Sequence, residues 1–209
     1  MTFQIHRWDY MTPIEETMMT LNDIVRQGTA RYIGASSMFA WQFLSALHTS
    51  EKLGLEKFVS MQNHYNLIYR EEEREMIPLC KEAGIAVMPW SPLARGFLTG
   101  KYKRGETPKT VRYENELLDG RNPLADRYFR PEDFDVVETV VSIAKEKDIS
   151  PSQVALAWVL HKDVTAPIIG VTKVQHVEEA VEALDIKLDS DDMKRLEDPY
   201  KPHPVIGHE

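Results

Sequence analysis

The chain has 209 residues and a formal net charge of −8, and hydrophobic residues make up 43% of it. This length and composition predict a single domain over residues 1–209. The lysines and arginines are scattered, which argues against nucleic acid as a partner. No apolar run approaches the roughly 18 residues of a membrane span and the first residues do not resemble a signal peptide, so we expect no membrane partner and a cytoplasmic location. Cys80 is the only cysteine and is predicted to be a buried, inert thiol.

Segments with the character of buried strands alternate with helical segments along the chain. The strands are predicted at residues 3–6, 31–35, 57–61, 85–89 and 164–169. A repeat of about 27 residues with this alternation is typical of a βα barrel. Because a closed barrel has eight βα units, the sequence predicts an α/β fold that is an incomplete (β/α)8 TIM barrel. About five of the eight strands, the fourth to the eighth, are expected in this chain.

Helices are predicted between these strands from apolar spacing and from capping residues. The first is expected to begin after Thr12 as its cap, with Pro13 in its first turn, and to end at Gly28. The others are predicted at residues 40–53, 71–83, 133–147, 151–160, 174–184 and 191–196. The proline-rich tail, residues 198–209, is expected to lie on the surface or to fray.

Residues 91–131 interrupt the regular alternation of predicted strands and helices. They contain several prolines and glycines and six arginines. A loop of this length inside a domain is usually functional or disordered. This one follows the carboxyl end of a predicted strand, where βα barrels build their active sites.

Polar and aromatic residues suited to a binding site follow the predicted strands. His6 could donate a hydrogen bond to a substrate carbonyl, and the Gln62 amide could pair with a carboxamide. Trp90 offers a flat stacking face. Lys173, with Gly170 and Thr172 at the start of a helix, is suited to a phosphate. An ordinary structural or solvated role is the alternative for each of these residues.

Taken together, these motifs resemble those of the aldo-keto reductase family. The resemblance extends from Phe3 to about Leu196. Its motifs, in order, are Gln-Ile-His-Arg-Trp-Asp from residue 4, Ile-Gly-Ala-Ser-Ser from residue 33, Gln62-Asn63 with Tyr65-Asn66, Pro-Trp-Ser-Pro-Leu-Ala-Arg-Gly from residue 89, and Ile-Ile-Gly-Val-Thr-Lys from residue 168. The ordered combination of motifs makes the resemblance specific, whereas any single motif would not be specific.

The resemblance implies an NADP(H)-dependent oxidoreductase that reduces aldehydes and ketones to alcohols by hydride transfer. It implies that His6 is catalytic and that no metal is used. Trp8 and the loop at residues 103–130 would shape the pocket for a small carbonyl substrate. The implied cofactor-binding residues are Ser36, Ser37 and Gln62 at the nicotinamide carboxamide, Trp90 stacked on the nicotinamide ring, Ser91, Leu93, Arg95 and Gly96 along the pyrophosphate, and Gly170, Thr172, Lys173, His176 and Glu179 around the adenosine and its 2′-phosphate.

The sequence also departs from the family pattern. Of the family's catalytic Asp, Tyr, Lys and His, only the histidine has a counterpart in this sequence, which is His6. We therefore expect a C-terminal portion that lacks the first part of the barrel. Ser37 and Ala180 stand where many members have Asn, and His176 stands where many have Arg. These changes bear on the choice between NADP and NAD.

The isolated portion is expected to have little or no turnover. A non-catalytic NADP(H)-binding or interaction protein derived from the family is therefore the alternative function. Unpaired edges on the strands at residues 3–6 and 164–169 predict self-association or a complementing N-terminal half. A metal-dependent barrel hydrolase is disfavoured, because the strand ends lack a His-x-His motif or clustered carboxylates.

Overall fold

The computed structural model describes residues 1–106 and 130–208, and it is an α/β fold built around one parallel sheet. The strands are β1 (Thr2–Gln4), β2 (Tyr32–Ser36), β3 (Phe58–Gln62) and β4 (Ala86–Val87). The α-helices are α1 (Ile14–Arg26), α2 (Ala40–Leu53), α3 (Met76–Glu82), α4 (Pro131–Lys147), α5 (Pro151–Leu160), α6 (Val174–Glu182) and α7 (Ser190–Glu197). Glu71–Glu73 form a short 3-10 segment, and a second at Ala94–Thr99 is interrupted by a kink at Arg95 and Gly96. None of the helices in the described residues is both long and apolar enough to cross a membrane.

The four strands are parallel and lie in the order in which they occur along the chain, β1-β2-β3-β4. Gln4 pairs with Gly34, and Ala35 pairs with Met61. The register of β2 against β3 shifts between Ile33 and Gly34. Because all four strands point the same way, their carboxyl ends lie along one edge of the sheet. The predicted site residues come after these strands in the sequence and therefore begin at this edge.

The two outer strands differ from expectation. The predicted strand at residues 164–169 forms only an isolated parallel bridge between Trp90 and Ile168, with the Thr165 N–H donating to the Val87 carbonyl. The sheet of the described residues therefore has four strands rather than five. The predicted buried strand at residues 3–6 is β1, which is an edge strand, and 42% of Phe3 is exposed.

The predicted helices are largely confirmed, and the exceptions have local causes. Helix α2 has the predicted bounds and ends at Gly54, whose φ of 65° is in the left-handed region. The Thr12 hydroxyl does not cap α1, because it donates to Asp9 Oδ2 at 2.6 Å instead. The helix predicted over residues 71–83 begins only at Met76, since an earlier start would place Pro78 where a helical N–H donor is needed.

The core lies between the sheet and the helices. Ile33 and Phe58 from the sheet are at most 1% exposed, and they pack with fully buried residues of the helices such as Phe43 and Trp158. Such side chains contribute about 1.5–3 kcal/mol each when removed from water. Cys80 belongs to the same core, as predicted.

The tail after α7 lies on the surface, which is one of the two predicted outcomes, with Pro204 and Val205 exposed, but three buried residues hold it against the protein over its described part. His203, Ile206 and His208 are each less than 8% exposed. His203 Nε2 lies 2.7 Å from Asp133 Oδ1, and the His203 N–H donates to Glu71 Oε1 at 3.0 Å. These polar partners are far away in the sequence, which is why composition alone does not reveal them.

Candidate functional site

The residues predicted to bind a cofactor follow the carboxyl ends of neighbouring strands. β2 ends at Ser36 and β3 at Gln62, which are paired in the sheet. Trp90 follows β4 and forms parallel bridges with His64 on one side and Ile168 on the other. The structure thus brings the first three groups of predicted residues to one edge of the sheet.

Ser36, Ser37, Gln62 and Trp90 are connected by hydrogen bonds. Trp90 Nε1 donates to Ser37 Oγ at 3.0 Å, and Ser36 Oγ donates to the Gln62 carbonyl at 2.6 Å. The Ser37 N–H donates to the same carbonyl at 3.2 Å. The half-buried Gln62 side chain makes no hydrogen bond to another described residue, so its amide is available to a ligand. These bonds fix the position of the indole relative to β2 and β3.

The turn after Trp90 has an unusual backbone. Ser91, Ala94 and Arg95 have φ values of 54°, 47° and 57°, and Gly96 follows with 96°. Together with Ser37, these are four of the five residues other than glycine that have positive φ in the described part of the chain. Such conformations cost about 1–3 kcal/mol each and are concentrated at functional sites. A residue with negative φ followed by one in the left-handed region turns successive backbone N–H groups toward one concavity, which can hold an anion. Leu93, with a φ of −99°, and Ala94 form such a pair.

The last predicted group lies beyond the Trp90–Ile168 bridge. Gly170, Thr172 and Lys173 are exposed, and Lys173 occupies the N-cap position of α6. His176 and Glu179 lie on α6 and are half-buried, and Glu179 accepts a hydrogen bond from Gln175 at 3.0 Å. The group therefore combines a helix N-terminus with a nearby ammonium group, an arrangement suited to a phosphate.

His6 and Trp8 lie on the loop that follows β1. His6 is exposed, and half-buried Trp8 packs at a tilt against Trp41 with ring centroids 6.1 Å apart. Of the loop predicted to shape the substrate pocket, residues 107–129 lie outside the described residues.

Sequence reasoning missed two sets of residues at this edge. One set is His64, which stacks on Trp90, together with Asn66 and Tyr69, which contact His64. The other is the tail, because a Cβ placed on Gly207 would lie 3.7 Å from Trp90 Cζ2. The only sequence signal for the first set is the density of aromatic and amide residues after β3, and the tail gives none.

The described residues also form a depression away from this edge of the sheet. A surface depression between α4 and α7 is lined by Asp135, Glu138, Thr139, Ser142, Arg195, Asp198 and Pro199. It lies on the helical layer rather than at the strand ends, and Arg195 is already paired with Glu146 at 2.6 Å. No group of three or more His, Cys, Asp or Glu side chains in residues 1–106 and 130–208 is arranged to hold a metal ion.

The comparisons with known proteins agree with this geometry. Residues 2–201 match the aldo/keto reductase family. The chain is 44% identical over 204 residues to "Putative aryl-alcohol dehydrogenase C977.14c" of Schizosaccharomyces pombe, which covers 98% of this chain and 56% of the relative. It is 46% identical over 210 residues to an aldo-keto reductase of Fusarium vanettenii, covering 99% and 54%. It is 42% identical over 202 residues to the versiconal hemiacetal acetate reductase of Aspergillus parasiticus, covering 97% and 57%.

The chain spans about half the length of these curated relatives. The match nevertheless includes every predicted group of site residues, from His6 to Glu179. This chain belongs to the aldo/keto reductase family.

Proposed function

We propose that residues 1–209 form one domain that supplies the cofactor-binding part of an NADP(H)-dependent oxidoreductase with a (β/α)8-barrel layout. About five of the eight βα units would come from this chain, counting the four strands of the sheet and the segment around Ile168 that bridges to Trp90, and the rest would come from elsewhere. The observation that carries the proposal is the fixed position of Trp90, which is hydrogen-bonded to Ser37 at the carboxyl edge of the sheet. The strained turn, residues 91–96 with four positive φ values, follows Trp90 directly.

The residues present fit the parts of this cofactor. Trp90 offers a ring face to a nicotinamide, and the Gln62 amide can pair with its carboxamide. The turn from Ser91 to Gly96 suits a pyrophosphate, and Lys173 at the start of α6 suits the 2′-phosphate. When bound, NADPH supplies a hydride for a carbonyl carbon, and the oxygen takes up a proton to give an alcohol and NADP⁺.

An aryl aldehyde is the substrate class that we propose. The S. pombe relative carries the name of an aryl-alcohol dehydrogenase. Trp8, with Trp41 against it, provides aromatic surface next to His6 for such a ring. A neutral His6 would donate a hydrogen bond to the carbonyl oxygen and fix its direction.

A second function, NADP(H) binding without turnover, is supported by the ionisable groups of the described residues. Reduction of a carbonyl needs an acid near the oxygen, and a tyrosine in that role needs a lowered pKa. Burial instead raises the pKa of Tyr65, Tyr69 and Tyr200 above the usual range. Loss of a general acid alone lowers a rate by about 10²–10⁴-fold.

The exposed apolar surface supports self-association or a complementing segment as a partner. Phe3 on edge strand β1 is 42% exposed, and Val174 and Leu184 in and after α6 are 75% and 62% exposed. Unpaired strand edges of this kind pair readily with other strands. A mass measurement in solution, by light scattering, distinguishes a monomer from an assembly of copies.

Tryptophan fluorescence titrated with NADPH tests the proposal. The unmodified chain is expected to show saturable quenching that is strongly reduced in Trp90→Phe, and the exposed Trp41→Phe serves as the control. Absence of saturable quenching would contradict the proposed function. A parallel assay of NADPH oxidation with an aryl aldehyde separates the two functions, because binding without oxidation supports the second.

A further inference from the structure

Trp90 belongs to a stack of three flat side chains. The ring of His64 lies against the Trp90 indole with centroids 4.1 Å apart and planes 10° apart. The opposite face of His64 lies against Tyr69, with 4.2 Å and 15°. His64 and Tyr69 are fully buried, whereas Trp90 is half-buried. The plane of the partly exposed indole is therefore set by a buried imidazole behind it.

The far end of the stack is also anchored. The Tyr69 hydroxyl accepts a hydrogen bond from the Ile206 N–H at 3.0 Å. Tyr69 also exchanges backbone hydrogen bonds of 3.1 Å with Asn66 in both directions. Because Tyr69 cannot slide or rotate freely, His64 has a fixed support on the side away from Trp90.

Asn66 links this stack to the strained turn. Its Nδ2 lies 3.2 Å from His64 Nε2 and donates to the Ser91 carbonyl at 2.9 Å. Its Oδ1 accepts from the Ile68 N–H at 3.1 Å, which fixes the orientation of the amide. Ser91 has a φ of 54°, so its backbone needs such support to remain in the left-handed region.

We propose that His64 and Asn66 are positioning residues for the nicotinamide end of the cofactor site. His64 sets the plane of the Trp90 indole. Asn66, through its hydrogen bond to the Ser91 carbonyl, sets the direction of the backbone from Trp90 into the strained turn. Neither side chain needs to touch the cofactor. This inference rests on the proposed function, since it assigns these residues to the same site.

The test compares two substitutions of His64 against two ligands. His64→Phe keeps a flat ring in the stack, whereas His64→Leu has a similar volume without one. The ligands are NADPH and 2′,5′-ADP, which lacks the nicotinamide. Dissociation constants are measured by calorimetry on the full chain, and near-ultraviolet circular dichroism reports the packing of Trp90 in the absence of ligand.

We expect His64→Leu to weaken NADPH binding by about 3- to 10-fold, which corresponds to the loss of one aromatic stack. Its affinity for 2′,5′-ADP is expected to be unchanged, and its near-ultraviolet spectrum is expected to lose tryptophan intensity. His64→Phe is expected to restore both NADPH affinity and the spectrum. Asn66→Ala provides the same comparison of ligands should His64→Leu fail to fold.

Three outcomes would overturn the inference. If the variants bind NADPH as tightly as the unmodified chain, His64 and Asn66 have no positioning role, and the proposed function stands. If both ligands weaken equally, the residues only support the fold. If the unmodified chain binds neither ligand, the proposed function fails and the inference fails with it.

Discussion

Trp90 Nε1 donates a hydrogen bond of 3.0 Å to Ser37 Oγ, which joins the segment that follows β4 to the residue after β2 across the end of β3. Ser37 itself has a φ of 42°. The contact therefore ties the indole to a backbone position that is already strained, so we expect Ser37 to affect the position of the indole without needing to reach a ligand.

Ser37→Ala is expected to lower the free energy of unfolding by about 0.5–1.5 kcal/mol, because it removes one neutral hydrogen bond. The same change should weaken NADPH binding by about 2- to 10-fold through the freed indole. Urea unfolding and fluorescence titration measure the two effects. Ser142→Ala on α4 is the matched control: it removes an exposed hydrogen bond to Glu146, so it should leave NADPH binding unchanged and cost less stability than Ser37→Ala. Equal behaviour of the two variants would contradict the role of this bond.

His203→Leu is expected to destabilise the protein by about 1–3 kcal/mol. Asp133 is buried, and burial raises the pKa of its carboxyl although His203 opposes this effect. Removing His203 would take away the buried hydrogen-bond partner at Asp133 Oδ1, and an unsatisfied buried carboxyl lowers the free energy of unfolding. The midpoint of urea unfolding, followed by circular dichroism, measures the loss. Lys194→Ala removes an exposed ion pair with Asp198 and should cost less than about 1 kcal/mol. A similar cost for both variants would contradict a stabilising role of the buried contact between His203 and Asp133.

Glu146 is expected to make stability depend on pH in acid. The hydrogen bonds from Arg195, at 2.6 and 2.8 Å, are the main reason why the pKa of Glu146 falls from 4.5 to about 2. The unfolded chain therefore binds this proton first, so the contribution is present above pH 4.5 and is lost as the pH falls toward 2.

The stability difference between the unmodified chain and Glu146→Gln should accordingly be largest near neutral pH and shrink as the solution is acidified. Because the pair is exposed, the difference should also shrink in high salt. Urea unfolding at several pH values measures it. A difference that stays constant across this range would rule out the coupling.

Cys80 should resist alkylation in the folded protein. Burial, with a smaller effect of Glu72, raises the pKa of its thiol to about 12, so little thiolate exists at pH 8. Incubation with iodoacetamide followed by mass spectrometry should show no adduct in buffer and one adduct in urea. Because Cys80 is the only cysteine, each adduct is unambiguous. Rapid labelling in buffer would mean that the surrounding helices open readily.

The sequence predicts those parts of the fold that depend on local periodicity. Helix α2, β2 and β3 lie within a residue of their predicted positions, because apolar spacing and the stop at Gly54 are both local signals, whereas β4 has only two of the five predicted residues. The same signals put the predicted cofactor residues at strand ends, and hence at one edge of a parallel sheet.

The remaining features depend on contacts between distant segments. The hydroxyl of Thr12 had two possible partners, the helix end and Asp9, and its sequence position favours neither. The stack of Trp90 and His64 forms because the segments that follow two neighbouring strands run side by side and are joined by a parallel bridge at these residues. Nothing in the spacing of these residues along the chain indicates which rings will face each other.

The contact between Arg7 and Gly207 spans 200 residues, because an Arg7 guanidinium N–H donates to the Gly207 carbonyl. Closing so long a loop is entropically costly until the intervening strands and helices have assembled. This contact should therefore form among the last steps of folding. Tyr10, whose hydroxyl donates to the His208 carbonyl at 3.2 Å, is consequently a place where a spectroscopic label would report completed folding rather than the formation of any single βα unit.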